Sequence, residues 1–370
     1  MPLYDQGPAW GVKSPILVLH FDGAIDAGVA GHIAVEQMRH ALRTDRIATF
    51  HTDEFIDYRA HRPVLTVEDW VSTDLNMPEI IVERVDDDLG QPFLLIHGPE
   101  PDMRWEKFAS HIRQIAEEAG VEITVSLHGV PAGTPHTRPA QVHIQATDSS
   151  LIPPQPQMMQ PMYFPSPVSS FVQARLAESG IDGVALLGSV PFYMADRPYP
   201  AVSSAILRKL SELTGLALPV GDLERGAAED IAALESFTEE NPQIHETVQA
   251  LETHYDALTG ANGIAPLTSF SDDVTSVPHT ETQNIGDVIE AYLANVTKNS
   301  ADVTENAPSH SASQTDEESE PETETVEDVL RRLAHREAQK NSATLNIRHI
   351  PRHRADTHEP PPLPPSEQQM

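Results

Sequence analysis

Apolar and polar positions along the chain group into short segments whose spacing predicts an α/β protein. Residues 16–21 are almost continuously apolar, which is typical of a strand buried on both faces of a parallel sheet. Apolar positions three and four residues apart then predict a helix over 28–42. Comparable apolar runs predict further strands at 47–50, 79–83, 92–97, 122–127, 142–146 and 183–190.

Helical spacing recurs between and after these strands. Apolar side chains from Trp105 to Ala119 keep to one helical face until Gly120, a residue type that commonly ends helices. Two more helices are predicted over 169–178 and 200–214. The alternation of strands and helices predicts a three-layer α/β/α sandwich with a mixed, mainly parallel sheet for residues 1–220.

Residues 221–262 have a purely helical pattern on both sides of an Asn-Pro break, which predicts an acidic antiparallel helical hairpin. Its narrow apolar seam closes either on the other helix of the pair or on another copy of the chain. The short connection favours the pairing within the chain. In the other case, the partner contacts are Val248, Leu251, Tyr255 and Leu258.

The last third of the chain is polar and acidic. We predict a linker and a closing helix over 263–298 and a disordered acidic, Pro-rich tail over 299–370, which has too few apolar residues for a core. A capping-box pattern predicts a short helix near 325–340. Its apolar side is either a docking peptide for a protein client or part of a solvated tail, and consists of Val329, Leu330 and Leu333.

Composition narrows the class of partner. The chain has 56 acidic and 24 basic residues, for a net charge of −32, so we expect no nucleic-acid binding. It has no cysteine, which excludes disulfides and thiolate chemistry and suits a cytoplasmic protein. No apolar run reaches the roughly 20 residues of a membrane helix, so we expect no membrane insertion.

Loops after the predicted strands hold the residues with catalytic potential, because carboxyl ends of parallel strands meet at one edge. An enzyme of phosphorylase or hydrolase type would use Asp22 or Asp26 as general base and His136 as acid. Arg138, together with the backbone amides near Gly28 and Gly31, would hold an anion. The alternative is that these residues only cap helices and shape turns. The other rim residues that would contact a ligand are Gly23, Gly28, Gly31, His97, Gly98 and Glu100.

The 18 histidines raise the question of a metal. His32 and Glu36 are four residues apart on a predicted helix, and His20 and Asp22 alternate on a strand. Neither pair supplies three ligands, so we predict no metal site and no cofactor.

A loop rich in methionine and proline spans 152–165. Because methionine adapts to irregular apolar surfaces, this loop contacts either another protomer, a client or its own sheet as a lid. The side chains in question are Met158, Met159, Met162 and Tyr163.

Five motifs occur in order at 21–28, 53–63, 97–105, 130–139 and 176–200. The first runs Phe-Asp-Gly-Ala-Ile-Asp-Ala-Gly, and the fourth contains His136-Thr137-Arg138 between prolines. Together they resemble the PAC2 family, the proteasome assembly chaperone 2 superfamily, in its actinobacterial form. The resemblance implies a nucleoside-phosphorylase-like α/β/α fold, a homo-oligomer such as a trimer, and a non-enzymatic role in assembly.

We therefore expect a protein-protein interaction, assembly-chaperone or scaffold protein. An enzyme or small-ligand binder with a pocket at the carboxyl edge of the sheet is the alternative. The chain ends in Gln369-Met370 and not in the hydrophobic-Tyr-X signature of the best-understood relatives. The resemblance therefore leaves the client unidentified.

Overall fold

The structure is a computed structural model that describes residues 2–23, 25–156, 161, 164–259 and 267. The strands are β1 (Tyr4–Gln6), β2 (Ile16–Asp22), β3 (Arg43–Phe50), β4 (Val64–Glu68), β5 (Val71–Asn76), β6 (Ile81–Asp86), β7 (Pro92–Pro99), β8 (Ile123–Ala132), β9 (Val142–Ala146) and β10 (Asp182–Pro191). The helices are α1 (Ala30–Ala41), α2 (Trp105–Ala119), α3 (Val168–Ala177), α4 (Pro200–Thr214), α5 (Gly221–Glu240) and α6 (Pro242–Thr259). No described helix is both long enough and apolar enough to cross a bilayer.

Eight strands form one sheet in the order β1-β3-β6-β7-β2-β8-β10-β9. The four neighbours β7, β2, β8 and β10 are mutually parallel, and β3 points the same way. β1, β6 and β9 run in the opposite direction. The predicted mixed, mainly parallel sheet is therefore confirmed, with antiparallel strands on both flanks.

Helices cover both faces of this sheet, which confirms the three-layer sandwich. Alternate residues of β2 point to opposite faces: Val18 packs under α1 and α4, while Leu17 and Leu19 pack under α2 and α3. α5 and α6 extend the first helical layer. Two apolar cores result, one on each side of the sheet.

The helical pair closes its seam within the chain. Val248, Leu251 and Tyr255 are buried, and Tyr255 Oη donates to the carbonyl of Pro139 at 3.1 Å. Leu258 is half-buried. These side chains therefore offer no open apolar face to a second copy, in contrast to the partner-contact alternative.

Three strands were not predicted from the sequence. β1 is only three residues long, and β4 and β5 form a separate two-stranded hairpin outside the main sheet. α1 also begins two residues later than expected, because Gly28 and Val29 both have positive φ angles of 67° and 51°. The predicted closing helix, the tail with its short helix, and Met158, Met159, Met162 and Tyr163 lie outside the described residues.

Aromatic packing forms the centre of the second core. The Phe108 ring lies 4.8 Å from that of Phe50, 5.3 Å from that of Phe55 and 5.6 Å from that of Phe21. Phe108 is fully buried. One α2 side chain thus joins β2, β3 and the loop after β3.

We expect Phe108→Ala to lower the free energy of unfolding by about 3–5 kcal/mol, because it leaves a cavity among three aromatic rings. Urea denaturation of the purified chain measures the change. Phe164→Ala is the matched control, since Phe164 is exposed and should change stability by less than about 1 kcal/mol. Equal effects of the two substitutions would contradict the packing described here.

Candidate functional site

The connection between β2 and α1 is organised by one carboxylate. Asp26 Oδ1 accepts from the amide of Gly31 at 2.7 Å and from that of Gly129 at 3.2 Å, and Oδ2 accepts from the amide of His32 at 3.1 Å. The side chain is only 10% exposed. Asp26 therefore satisfies the first amides of α1, as a helix cap does, and ties them to β8.

Residues near the carboxyl end of β8 also hold the connection between β2 and α1 in place. His128 Nδ1 donates to the carbonyl of Ile25 at 3.1 Å, and its Nε2 accepts from Ser169 Oγ at 3.2 Å. At Gly129, a Cβ atom would lie 1.9 Å from the carbonyl oxygen of Ala27, so only glycine fits. Burial lowers the pKa of His128 to about 4, and the ring is neutral near pH 7.

Two histidines and an aspartate converge beside this cap. His20 Nδ1 donates to the carbonyl of Leu127 at 3.2 Å. Its Nε2 lies 3.5 Å from Asp22 Oδ1 and 3.6 Å from Asp26 Oδ2, close enough for electrostatic attraction but too long for a good hydrogen bond. His32 Nδ1 lies 2.7 Å from Asp22 Oδ1.

Electrostatics within this group favour a charged Asp22. Burial alone would raise the pKa of Asp22, but the facing imidazoles of His20 and His32 lower it well below its usual range. The hydrogen bond to Asp22 raises the pKa of His32. Negative charge on Asp22 is thus stabilised by its neighbours, and any cation at this point meets a carboxylate.

His97 and Glu100 lie on the neighbouring strand and in the loop after it, but they have other partners. His97 Nε2 donates to Glu83 Oε2 at 3.0 Å, and Arg39 Nε donates to the same oxygen at 3.0 Å. Glu100 Oε1 accepts from the amide of Val168 at 2.6 Å and so caps α3. Both side chains hold helices against the sheet.

His136 and Arg138 interact with the helical pair. Tyr193 Oη donates to His136 Nδ1 at 2.7 Å, and Arg138 makes a bidentate pair with Asp256 at 2.7 and 2.8 Å. The buried His136 Nε2 borders a cavity of about 10 Å³, which has room for one water molecule and no metabolite.

Two parts of the catalytic set expected of an enzyme have other partners in the structure. Asp22 and Asp26 lie together, but Arg138 is neutralised by α6 carboxylates. The amides near Gly31 that were to hold an anion already bind Asp26.

The rim glycines serve close packing. Gly28 has a φ of 67° and donates its amide to the carbonyl of Ala195 at 2.6 Å, which anchors the loop before α1. A Cβ at Gly31 would lie 2.5 Å from the His20 ring. At the two remaining positions, a Cβ would collide with Glu100 at Gly23 and with the Glu79 carbonyl at Gly98.

The sequence pattern paired His20 with Asp22 and His32 with Glu36, and it did not predict that both histidines meet Asp22. The signal was present: His20 and Asp22 share one face of β2, and a right-handed βα connection returns the first turn of α1 over that strand end. Only the conformation of the intervening loop decides whether His32 arrives there.

A second surface of note is the β4–β5 hairpin. All residues of both strands are exposed. The two-residue turn consists of Asp69 and Trp70, both with positive φ angles, and the Trp70 side chain is 99% exposed. Seven large apolar side chains are exposed on this segment: Val64, Leu65, Val67, Trp70, Val71, Leu75 and Met77.

Solved structures resemble this fold closely. A Mycobacterium tuberculosis protein of unknown function is 33% identical, with a TM-score of 0.66 over 70% of this chain and 91% of that one. A Corynebacterium glutamicum protein of unknown function is 32% identical, with a TM-score of 0.65 over 69% of this chain and 97% of that one. A M. tuberculosis proteasome-assembly chaperone homologue is 25% identical, with a TM-score of 0.57 over 63% of this chain and 99% of that one. No curated protein matches the chain.

The protein is thus a three-layer α/β/α sandwich. It has a cluster of two histidines and one aspartate at the end of β2 and an exposed apolar hairpin formed by β4 and β5. The PAC2 family model matches residues 20–236, which run from the end of β2 into α5. The chain belongs to the PAC2 family.

We expect Asp26→Ala to destabilise the fold by about 2 kcal/mol or more, because three amides lose a charged acceptor. Thermal and urea denaturation measure the loss. Asp22→Ala serves as the control, since the Asp22 side chain is half exposed and its carboxylate accepts from no described backbone amide. A loss for Asp22→Ala as large as that for Asp26→Ala would contradict the capping role.

The lowered pKa of the buried His128 predicts how the stability of the fold depends on pH. Its pKa is lowered from 6.5 to about 4, so between these values the unfolded chain binds a proton that the folded chain does not, and stability falls on acidification. We expect His128→Gln to reduce the slope of unfolding free energy against pH between 6.5 and 4. The exposed His245→Gln is the control and should keep the wild-type slope. An unchanged slope in His128→Gln would show that His128 does not titrate differently on unfolding.

Proposed function

We propose that this protein is a non-enzymatic assembly factor that binds protein partners and self-associates through the β4–β5 hairpin. The observation that carries this proposal is the hairpin itself, which lies outside the eight-stranded sheet and is exposed on both faces. A lone two-stranded hairpin is marginally stable in water. Packing against another surface would stabilise it.

The side chains of the hairpin are suited to contact with the surface of another protein. Leu65 and Leu75 are directly opposite each other, and Val67 follows on the same face, so one side of the hairpin is apolar. The large apolar side chains of the segment are between 38% and 99% exposed, which leaves apolar surface for a protein partner to bury. A bulky Trp70 at positive φ is strained, and such strain is characteristic of functional positions.

The partner we propose is a second copy of the chain. The main sheet offers little alternative for strand pairing: β1 has three residues, and the Gln155 side chain pairs with both the amide and the carbonyl of Ile144 on β9. Such features block edge-to-edge association. Closed homo-oligomers are also the commonest assemblies of soluble proteins, and each copy brings an identical hairpin.

Similarity to a proteasome-assembly chaperone homologue supports an assembly role with a protein client. The acidic surface, with its net charge of −32, favours basic client surfaces and disfavours nucleic acid. Contacts through Met158, Met159, Met162, Tyr163, Val329, Leu330 and Leu333 remain predictions, because these residues lie outside the described part of the chain.

Sedimentation velocity and light scattering test the self-association. We expect the wild-type chain to have a mass that is a multiple of 40.6 kDa, and Leu65→Glu to shift it toward one copy, because each copy would bury an unpaired charge. Leu89→Glu is the matched control: Leu89 is 77% exposed on the β6–β7 turn and should leave the mass unchanged. Circular dichroism checks that both variants fold.

A wild-type chain that is monomeric at micromolar concentration would overturn the proposal. So would a Leu65→Glu variant that keeps the wild-type mass. A second variant, Trp70→Ser, removes the largest exposed side chain without adding charge and should weaken association in the same direction.

A further inference from the structure

We propose that His20, Asp22 and His32 bind a divalent transition-metal ion at the carboxyl end of β2. The ligand atoms are His20 Nε2, Asp22 Oδ1 and His32 Nδ1, which all lie within 4.8 Å of one another. Among the described residues, no other trio of histidine, aspartate or glutamate side chains meets this condition.

The distances between these atoms match a shared ion. Ligands 2.0–2.2 Å from a metal at tetrahedral or octahedral angles lie roughly 2.9–3.5 Å from one another. Asp22 Oδ1 is 3.5 Å from His20 Nε2 and 2.7 Å from His32 Nδ1. Both distances therefore lie within a few tenths of an ångström of the separation between two ligands of one ion.

The buried His20 is the independent sign of a ligand. The residue is 2% exposed, and its Nε2 is buried without a hydrogen-bond partner while it faces Asp22 and Asp26. Because Nδ1 donates to the carbonyl of Leu127, Nε2 is the ring nitrogen that faces these carboxylates and is placed to bind an ion. A metal ion between His20 Nε2 and the carboxylates would supply the partner that this buried nitrogen lacks and would offset the two negative charges.

The surroundings supply the support that metal ligands require. The hydrogen bond from Nδ1 to a backbone carbonyl fixes the ring orientation of His20, as is usual for metal-bound histidines. Asp26 lies 3.6 Å from His20 Nε2 and contributes negative charge, but its oxygens are held by backbone amides. Gly31 leaves the space that the His20 ring occupies.

The types of ligand atom and their exposure to solvent indicate which class of ion the site binds. Two imidazoles and one carboxylate suit Zn²⁺, Fe²⁺, Co²⁺ or Ni²⁺, whereas Mg²⁺ and Ca²⁺ prefer oxygen alone. Asp22 and His32 are 49% and 44% exposed, so an ion can enter from solvent and keep water on its open positions. A protein with no cysteine can hold such an ion through nitrogen and oxygen ligands.

Titration of the chelator-treated full-length chain with Zn²⁺, followed by calorimetry, tests this inference. We expect one saturable site per chain, with affinity lowered at least about 10-fold by Asp22→Asn or His32→Ala. Both side chains are half exposed, so the variants should fold. Co²⁺ in place of Zn²⁺ provides a visible absorption spectrum that reports nitrogen and oxygen ligands directly.

The control is another histidine-aspartate pair that lacks a third ligand. His51 Nε2 lies 3.2 Å from Asp5 Oδ1, and these side chains are 40% and 85% exposed. His51→Ala and Asp5→Asn should therefore leave the tight site unchanged.

Two results would overturn the inference. One is the lack of a saturable site for Zn²⁺ in the wild-type chain. The other is a site whose affinity is the same in Asp22→Asn, His32→Ala and the wild type, which would place the ion on other histidines. Neither result bears on the hairpin, because the proposed ligands are on β2 and α1 and the oligomeric state is measured separately.

Discussion

The carboxylate of Asp26 links the elements that meet at the end of the central strand. It binds the amides of Gly31 and His32 at the start of α1 and that of Gly129 at the end of β8. A helix N-terminus at this position in an α/β sheet commonly binds an external anion. Here the chain supplies its own anion, and the geometry of the loop, the helix and the neighbouring strand follows from that one buried charge.

Capping of α1 by Asp26 changes the class of ligand that can bind at the carboxyl edge of the sheet. Once Asp26 occupies the amides, the positive end of α1 is no longer available to a phosphate or another anionic ligand. What remains accessible is the carboxylate of Asp22 between two imidazoles. A strand end at which the helix amides already bind Asp26 is therefore suited to a cation and not to an anion, and Arg138 stabilises the helical pair.

The proposed self-association must be reconciled with the net charge of the chain. Copies with a net charge of −32 repel one another over distances near the Debye length, so short-range apolar contact has to supply the attraction. The buried seam of α5 and α6 and the blocked edge of β9 are unsuitable, since both are satisfied within the chain. The hairpin lies outside the main sheet and exposes large apolar side chains that are suited to such a contact.

The local pattern of apolar and polar residues determined the layered architecture of this protein. The apolar run of β2, the spacing of α2 up to Gly120 and the alternation of elements predicted the sandwich, because burial periodicity is a local property of the chain. The hairpin was missed because β4 and β5 bury no face and so carry no clear alternation. Tertiary structure alone decided that His20, Asp22 and His32 meet, and that His136 and Arg138 serve other partners, because loop conformations set those distances and no sequence spacing encodes them.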